Sequence, residues 1–346
     1  MTANTRARTM SSVARAGAVR GCAPTRAVVR RRGARRARAA SVSASASASG
    51  STLVAFKASD GVSLEVATRA ATGERASSSG ERHAPTIVFV HGSYHAAWCY
   101  EEYFAPYFAS RGYRTASVSL RAHGGSEATP GSAVAGTLAS HAKDLGDILR
   151  SREICGGDGS SPKPVVVGHS FGGLVVQKAL ANDAEMSAAV LLASVPPTGN
   201  SEMVKRFLKR DLFASLKITY AFITKAFGTN PKLCRECFFS PDASEDDVER
   251  FTRAINTSSR LRMLDLKALN SELPVPKPTG ANANVPVLVV GGDIDFVVDR
   301  QGLEETAAWY DSDAVVLPNT AHDVMIDTRW LIGAQTIEKW IETHVI

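Results

Sequence analysis

Short apolar segments alternate with helical patterns along most of the chain, and this alternation predicts its architecture. Six runs rich in β-branched and aliphatic residues are typical of buried strands, at residues 85–90, 113–120, 165–167, 188–195, 285–290 and 314–317. Helical patterns follow at residues 96–111, 137–151, 174–182, 300–310 and from about 323. Strands that are apolar throughout and alternate with helices indicate an α/β fold with a mostly parallel central sheet and helices on both faces.

A different unit precedes these strands. Residues 52–56 and 62–67 alternate between apolar and polar positions on either side of Asp60-Gly61, a dipeptide typical of hairpin turns. We therefore expect an antiparallel pair at the start of the sheet.

The alternation stops at Pro196-Pro197 and resumes only at residue 285. The segment between, residues 198–284, has helical patterns, including a predicted N-cap at Ser244 followed by three acidic residues. Five apolar residues spaced by 4, 4, 3 and 4 predict one face of a helix: Leu212, Leu216, Tyr220, Ile223 and Phe227. These patterns predict a helical cap at 198–284, inserted into a core made of residues 51–197 and 285–346.

The first fifty residues differ in composition from the rest. They contain eleven Arg, no Lys and no acidic residue, and they end in a Ser/Ala repeat. This composition is typical of an organelle transit peptide, and no apolar stretch suited to a secretory signal is present. A plastid is favoured over a mitochondrion. A disordered basic tail and a nucleic-acid-binding arm are the alternatives.

Without this leader the charge of the chain changes sign. Residues 51–346 hold 29 basic and 34 acidic residues, a net charge of −5, against +6 for the whole chain. The body therefore gives no indication of a nucleic-acid partner or an anionic membrane surface. No apolar run reaches the ~18 residues that a membrane-spanning helix needs. The oligomeric state is left open.

The most informative motif is Gly168-His169-Ser170-Phe171-Gly172, which lies between a predicted buried strand and a predicted helix. Gly-x-Ser-x-Gly at such a junction is typical of a nucleophile elbow, in which a tight turn exposes the serine hydroxyl. The flanking glycines are needed because a Cβ would clash in that turn. Ser170 is thus the candidate nucleophile, and the backbone N–H of Phe171 faces the same space.

A serine hydroxyl needs a neighbouring base, itself oriented by a carboxylate. Two later strands are followed by suitable residues at the carboxyl ends where crevices form. His322 follows the strand at 314–317, and Asp295 follows the strand at 285–290. The order Ser170, Asp295, His322 is the Ser…Asp…His order of one known arrangement. Asp293 and Asp299 remain alternatives for the acid, although Asp299 is also placed to cap the next helix.

These motifs resemble those of the α/β-hydrolase superfamily, and in particular its capped, esterase-like members from plants and cyanobacteria. The resemblance extends over residues 52–346. Gly292-Asp293-Ile294-Asp295 matches the family's acid motif, and Ala321-His322 matches its base motif. By resemblance, His91-Gly92-Ser93 is the oxyanion loop, so the N–H groups of Ser93 and Phe171 are expected to form the oxyanion hole. The chain departs from the family at Ser119 and Ala122, where Asp and Gly are usual, and this departure affects a supporting loop.

The remaining candidates concern the pocket and the other histidines. Tyr94 and His95 follow the oxyanion loop, and with Tyr220 and Phe222 of the cap they are candidates to line an apolar substrate pocket. We expect His91 to support the oxyanion loop and His169 to point away from the substrate. His123 and His141 are predicted to be structural or exposed, and Asp323 to cap the last helix.

No metal or cofactor is predicted. No group of His, Asp or Glu has metal-ligand spacing, and no glycine-rich segment has the pattern of a phosphate cradle. Cys234 and Cys237 form a single C-x-x-C, which favours reduced thiols on a helix over a zinc site; a redox-active pair is the alternative.

Together the patterns favour a serine hydrolase that cleaves a small-molecule carboxylic ester with an apolar or lipid-like part. Ser170 at the elbow argues against an epoxide or haloalkane hydrolase, which would need Asp there. A hydroxynitrile-lyase-like enzyme and a hormone-receptor-like binding protein would both keep the three residues, so both remain open alternatives.

Overall fold

The computed structural model of the chain describes residues 50–72, 84–156 and 162–346. The predicted transit peptide, residues 1–50, lies outside the described residues except for Gly50. The cap and the core of the hydrolase-like body can therefore be followed almost throughout.

Eight strands form one sheet, in the order β1-β2-β4-β3-β6-β7-β9-β10. Their bounds are β1 Thr52–Lys57, β2 Ser63–Arg69, β3 Ile87–Val90, β4 Thr115–Val118, β6 Val165–His169, β7 Ala188–Leu192, β9 Val287–Gly292 and β10 Ala314–Leu317. The strands β1 and β2 pair antiparallel, as do β2 and β4, and every other neighbouring pair is parallel. The predicted opening hairpin and mostly parallel sheet are confirmed.

The helices of the core lie on both sides of this sheet, and the remaining helices belong to the predicted cap segment. Those of the core are α1 Trp98–Glu101, α2 Phe104–Ser110, α3 Leu138–Leu149, α4 Arg152–Cys155, α5 Phe171–Ala181, α11 Arg300–Trp309 and α12 Trp330–His344. Those between β7 and β9 are α6 Ser201–Arg210, α7 Leu212–Thr224, α8 Pro231–Phe238, α9 Glu245–Ser258 and α10 Leu266–Glu272. Ser244 caps α9, because its side chain accepts a hydrogen bond from the N–H of Asp247.

Alternate residues of each central strand enter two different hydrophobic clusters. Val88 and Val90 of β3 belong to one cluster, and Ile87 and Phe89 belong to the other, on the opposite face of the sheet. All four side chains are fully buried. This arrangement explains why the central strands are apolar at every position rather than at every second one.

Three elements differ from the sequence-based expectation. The helix predicted at 96–111 is two short helices, α1 and α2, which are separated at Glu102 and Tyr103. The last helix begins at Trp330 and not near Asp323. A small second sheet pairs β5, Val134–Gly136, with β8, Arg262–Leu264 of the cap segment. Such long-range pairing of three-residue strands leaves no periodic signal in the sequence.

Within the described residues, no helix is both long and apolar enough to span a bilayer.

Candidate active site

Ser170 lies at the tight turn between β6 and α5. Its backbone has φ 54° and ψ −123°, a conformation that costs energy for any residue with a side chain and that marks functional turns. The positions on either side of this turn require glycine, because a side chain there would clash with the backbone. A Cβ at Gly168 would lie 2.7 Å from the carbonyl oxygen of Gly172, and a Cβ at Gly172 would overlap the carbonyl oxygen of His91. The local sequence therefore folds as the predicted elbow.

His322 and Asp295 follow the carboxyl ends of β10 and β9, which lie beyond β7 in the same sheet. The Nδ1 of His322 lies 2.8 Å from Oδ2 of Asp295, and both side chains are buried. The second oxygen, Oδ1 of Asp295, accepts hydrogen bonds from the N–H groups of Val297 and Val298 at 2.6 and 2.9 Å. The carboxylate is thereby fixed in orientation, and it in turn fixes the imidazole.

These contacts determine the pKa of His322 and the nitrogen that can receive a proton. Burial acts to lower the pKa of His322, but the charge of Asp295, its hydrogen bond and the charge of Asp323 raise it above the ordinary value. With Nδ1 bound to Asp295, Nε2 remains as the nitrogen that can receive a proton. Ser170 and His322 line one cavity, and the Ser170 hydroxyl forms no hydrogen bond with the imidazole in this structure. Such catalytic hydrogen bonds are often long or poorly aligned before substrate binds.

The two alternative acids have other partners. Asp299 caps α11, since its Oδ1 accepts a hydrogen bond from the N–H of Gly302, and it forms two hydrogen bonds with Arg206. Oδ1 of Asp293 accepts a long hydrogen bond, 3.3 Å, from the N–H of Thr320. Of the three candidates the structure places only Asp295 against His322.

The predicted oxyanion loop packs directly on the elbow. A Cβ at Gly92 would lie 2.8 Å from Cβ of Ser170 and 3.0 Å from Nδ1 of His169, so only glycine permits this approach. The next turn is strained, since Tyr94 has φ 68°. Neither the N–H of Ser93 nor that of Phe171 has a hydrogen-bond acceptor among the described residues. Two backbone donors are therefore available beside the serine.

His91 supports this loop, as the sequence predicts. Its Nδ1 lies 2.7 Å from the carbonyl oxygen of Gly92, and its Nε2 accepts a hydrogen bond from the N–H of Leu120. Burial lowers the pKa of His91 well below its usual value, so the ring is neutral and can donate with one nitrogen and accept with the other.

The departure at Ser119 and Ala122 leaves an ordered loop. The buried Ser119 hydroxyl donates to Glu65 and accepts a hydrogen bond from the N–H of Ala97. Ala122 has φ 59°, the left-handed conformation that favours glycine, which is the residue usual in the family. Ala122 therefore adopts this conformation at the cost of local strain.

His95 connects the oxyanion loop to the residue that follows His322. Its Nδ1 lies 2.9 Å from the carbonyl oxygen of Ser93, and its Nε2 lies 2.9 Å from Oδ2 of Asp323. Burial acts to raise the pKa of Asp323, but His95, His169 and His322 lower it overall, so the carboxylate is ionised. His95 therefore contacts the oxyanion loop with one ring nitrogen and Asp323 with the other.

Two of the predictions about this region are wrong. Asp323 does not cap the last helix, whose N-cap is Arg329; it is fully buried against His95. His169 does not point away from the site: it lines the cavity, and its Nε2 donates to the carbonyl oxygen of His322 at 3.0 Å. Burial lowers the pKa of His169 to about 3, so its ring is neutral.

A cavity of about 320 Å³ extends from the elbow into the cap. Its apolar lining comes from the elbow, from the cap and from the loop after Asp295: Phe171, Val195, Met203, Val204, Phe207, Ile218, Phe222, Ile223, Phe238, Leu261, Met263, Leu264, Phe296 and Val297. Three of the predicted pocket residues, Tyr94, His95 and Phe222, line it. The hydroxyl of Tyr94 also donates to the carbonyl oxygen of Phe222, which links the oxyanion loop to the cap.

The fourth pocket prediction, Tyr220, is wrong. Its side chain is 61% exposed and lies outside the cavity. The helix α7 is apolar on nearly every side, so its sequence does not show which face turns inward. The inward face carries Ser215, Ile218, Thr219, Phe222 and Ile223. Of the predicted apolar face, Leu212, Leu216 and Tyr220 are exposed, whereas Phe227 lies beyond the end of α7 and is fully buried.

Sequence reasoning missed the contributions of α6, of β8 and of Phe296 and Val297. The last two directly follow Asp295, so their position was a signal that they lie near the base. His123 was expected to be structural or exposed, and it is buried at the cavity wall. The contribution of β8 depends on its pairing with β5, which could not be read from the sequence.

One group within the described residues has the spacing of a metal site. Ligand atoms of His169, His322 and Asp323 lie within 4.8 Å of one another. Two of the nitrogens are engaged, since Nδ1 of His322 is bound to Asp295 and Nε2 of His169 to a carbonyl oxygen. Nδ1 of His169 and Oδ1 of Asp323 have no hydrogen-bond partner among the described residues, and the charge of Asp323 helps to raise the pKa of His322.

The C-x-x-C cysteines lie buried on α8 and are not joined by a disulfide. Burial raises the pKa of Cys234 and of Cys237 to about 12. A thiolate is therefore disfavoured at both positions, which argues against redox chemistry there.

Comparisons with known proteins identify the family of the chain and its fold. A model described as "Alpha/beta hydrolase family" matches residues 87–334, more than two thirds of the chain. Methylesterase 1 of Arabidopsis thaliana is 33% identical over 120 residues, which cover 34% of this chain and 43% of that protein. The match thus spans less than half the length of that relative.

Solved structures share the fold at low sequence identity. An esterase from Exiguobacterium antarcticum has a TM-score of 0.58 at 18% identity, over 84% of this chain and 99% of that one. A bromoperoxidase from Bacillus anthracis has a TM-score of 0.58 at 16% identity, over 84% and 99%. The two names denote different reactions, so the likeness establishes fold and not activity. With its strand order, its elbow and the family match over residues 87–334, the chain belongs to the alpha/beta hydrolase family.

Proposed function

We propose that this protein is a serine-dependent hydrolase that cleaves carboxylic esters through an acyl-enzyme on Ser170. The observation that carries the proposal is the buried contact of 2.8 Å between His322 Nδ1 and Asp295 Oδ2, in the cavity that Ser170 also lines. A base held by a carboxylate beside a serine on a strained turn is the arrangement that activates a hydroxyl for attack.

In the first half of the reaction the Ser170 oxygen attacks the ester carbonyl carbon. Nε2 of His322 takes the hydroxyl proton, and Asp295 stabilises the imidazolium that forms. The negative charge that develops on the carbonyl oxygen is met by the N–H groups of Ser93 and Phe171. The carbon–oxygen bond to the alcohol then breaks, and the alcohol leaves with the proton from His322.

In the second half a water molecule attacks the acyl-enzyme. His322 removes a proton from that water and returns it to the Ser170 oxygen as the acid is released. In this cycle each proton is moved by the same imidazole.

The apolar lining of the cavity supports an ester with an apolar acyl or alcohol part. The partial match to a protein named methylesterase supports a small leaving alcohol, with the apolar part on the acyl side. We therefore place methyl esters of apolar carboxylic acids first among the substrates to be tried.

The experiment measures steady-state turnover of p-nitrophenyl esters and methyl esters whose acyl chains range from two to twelve carbons. We expect turnover by the wild type, a preference for medium chains, and a loss of about 10⁴-fold or more in kcat for Ser170→Ala. The control is Ser271→Ala, at an exposed serine of α10, which should have wild-type rates.

Three results would contradict the proposal. Equal turnover by Ser170→Ala and the wild type would remove Ser170 from the mechanism. Cleavage of a cyanohydrin without turnover of any ester would indicate a lyase. A single slow turnover coupled to movement of the cap would indicate a binding protein.

The composition of residues 1–50 supports an organelle as the place of this activity, and a plastid before a mitochondrion. A fluorescent protein fused after residue 50 tests this: we expect import into plastids, and uniform fluorescence in the cytosol would contradict it.

A further inference from the structure

The two helices α6 and α7 carry an unusual amount of exposed apolar surface. Of the twelve large hydrophobic side chains exposed among the described residues, seven belong to these helices. They form what we call the outer cap surface: Val204, Leu208, Leu212, Phe213, Leu216, Tyr220 and Ile223. Their exposed fractions reach 86% for Phe213 and 66% for Ile223. Apolar side chains gathered in this way mark an interaction surface, whereas single ones are ordinary.

The arrangement on α7 is that of one helix face. Leu212, Leu216, Tyr220 and Ile223 follow one another at steps of 4, 4 and 3 residues, which brings them onto one side of a helix with 3.6 residues per turn. An adjacent side of the same helix lines the cavity, and Ile223 belongs to both sides. The helix therefore needs a second apolar environment, outside the protein core, to cover its outer side.

The charge of this segment is opposite to that of the rest of the body. Residues 201–225 contain six basic and two acidic residues, a net charge of +4. The other residues of 51–346 contain 23 basic and 32 acidic residues, a net charge of −9. Lys209 and Arg210, at the end of α6, form no salt bridge with any described residue, whereas Lys205, Arg206 and Lys217 each pair with a carboxylate. The guanidinium of Arg210 lies over the rings of Phe207 and Phe296, so this cation has aromatic contacts but no carboxylate partner. An apolar face bordered by cations without carboxylate partners complements an anionic lipid surface.

Two other binding partners for the outer cap surface, a second copy of the protein and residues 1–49, fit its charge less well. A second copy that presented the same surface would bring a segment of charge +4 against another of the same sign. Residues 1–49 contain eleven arginines and no acidic residue, so they too carry the sign of the outer cap surface. Like charges brought together without counter-charges oppose association.

The outer cap surface also borders the cavity. Val204 and Ile223 are exposed and line the cavity as well, and they lie beside Phe207 and Phe222 of the lining. A lipid surface in contact with α6 and α7 would therefore meet the apolar approach to Ser170.

From these observations we propose that α6 and α7 dock onto an anionic lipid bilayer surface, with the outer cap surface in the interfacial region, and that the ester enters the cavity from there. The second half of this proposal rests on the proposed function, and the first half does not. The phenyl and aliphatic side chains enter the boundary between headgroups and acyl chains, and Lys209 and Arg210 contact anionic headgroups.

The test measures flotation of the full-length protein with vesicles of phosphatidylcholine that contain either no phosphatidylglycerol or 30% phosphatidylglycerol. The docking variant is Phe213→Ser/Leu216→Ser/Tyr220→Ser, whose three residues lie outside the cavity lining. The control variant is Leu331→Ser/Ile332→Ser, at exposed apolar positions of α12. All proteins retain residues 1–50, so any contribution of the arginines of the leader is common to them.

We expect the wild type and the control variant to bind the anionic vesicles and the docking variant to lose at least fivefold in bound fraction. A charge variant, Lys209→Glu, should lose binding in part, and 0.5 M NaCl should weaken binding of the wild type. Equal vesicle binding by the docking variant and the wild type would overturn the proposal. The proposal would also be overturned if the wild type formed a dimer, the docking variant were monomeric, and the two bound vesicles equally. The outer cap surface would then bind a second copy of the protein and not a bilayer.

Two further measurements separate this proposal from the proposed function. Ser170→Ala should bind vesicles like the wild type, so docking can be established even if no ester is hydrolysed. The docking variant should hydrolyse dissolved p-nitrophenyl butyrate at the wild-type rate and a vesicle-embedded ester at least fivefold more slowly. Equal rates on the embedded ester would contradict delivery from the bilayer. Matching thermal unfolding of the variants and the wild type shows that the fold is intact.

Discussion

The Nε2 of His95 lies 2.9 Å from Oδ2 of Asp323, and both side chains are buried beside the candidate triad. The other nitrogen of His95 faces the carbonyl oxygen of Ser93, in the oxyanion loop, and Asp323 directly follows the base His322. This buried contact therefore joins the proposed oxyanion loop to the loop that carries the proposed base. Breaking it should affect both parts of the reaction.

Replacing Asp323 by Asn tests this connection. We expect kcat to fall by about tenfold, equivalent to ~1.4 kcal/mol, because the oxyanion loop loses one support. The charge of Asp323 helps to raise the pKa of His322, and the reaction needs a neutral imidazole. Removing that charge should therefore move the acidic limb of the rate profile to lower pH. A profile that coincides with that of the exposed control Asp313→Asn would contradict the connection.

Gly92→Ala tests the contact between the oxyanion loop and the elbow. The added Cβ would lie 2.8 Å from Cβ of Ser170, so the loop has to move away from the serine. We expect a loss of about 10²–10³ in kcat, the size of losing one oxyanion donor. The matched control is Gly146→Ala in α3, where the nearest side-chain atoms lie 3.6 Å away; it should keep full activity. Comparable kcat values for the two variants would be evidence against the assigned oxyanion loop.

The orientation of α7 is tested by a pair of neighbouring aromatic residues. Phe222 lines the cavity, and Tyr220 is exposed. Phe222→Ala should raise KM for a dissolved medium-chain ester by about tenfold, through the loss of apolar contact area. Tyr220→Ala should leave KM for the same ester within about twofold. The reverse ranking would mean that the helix presents its other face to the substrate.

Stability should decrease between pH 7 and pH 5. Burial lowers the pKa of His123 to about 4 and of His169 to about 3, and it also lowers the pKa of His91 and His141. Below the ordinary value of ~6.5 the unfolded chain binds protons at these rings that the folded chain does not, so unfolding becomes easier. His123 and His169 are each expected to lower the free energy of unfolding by up to about 2 kcal/mol between pH 6.5 and pH 5.

The raised pKa of His322 acts in the opposite direction: its contribution is fully present below the unfolded pKa and is lost as pH rises through the folded value. The four histidines with a lowered pKa outweigh the one with a raised pKa, so we still expect a net loss of stability on acidification. Urea unfolding at pH 7, 6 and 5 measures it, and His123→Asn should give a shallower dependence. A free energy of unfolding that is constant or larger at pH 5 would be inconsistent with neutral buried histidines.

The sequence predicts the parts of this protein that depend on local pattern. The strand at 165–167, the doubled glycine after Ser170 and the order of Asp295 and His322 along the chain placed the three candidate residues on one edge of the sheet. Asp295 could be preferred to Asp293 and Asp299 by motif alone, and the structure gives each of the other two a different partner.

The parts that sequence reasoning missed depend on contacts between distant segments. Asp323 resembles a helix cap in sequence, yet it is buried against His95, which lies 228 positions earlier in the chain. The exposed position of Tyr220 could not be predicted, because a helix that is apolar on nearly every side has no sequence signal for its inward face. The charge of residues 201–225 was hidden within the net charge of the body, since a local excess of +4 disappears in a total of −5.

The central claim is that Ser170 becomes covalently modified with the help of His322 and Asp295. Reaction with a fluorophosphonate, followed by intact-mass measurement and peptide mapping, tests it most directly. We predict one adduct, on the peptide that contains Ser170, with none in Ser170→Ala and labelling at least 10²-fold slower in Asp295→Asn, where the imidazole is no longer held. An adduct on another residue, or labelling of Ser170→Ala at the wild-type rate, would contradict the account.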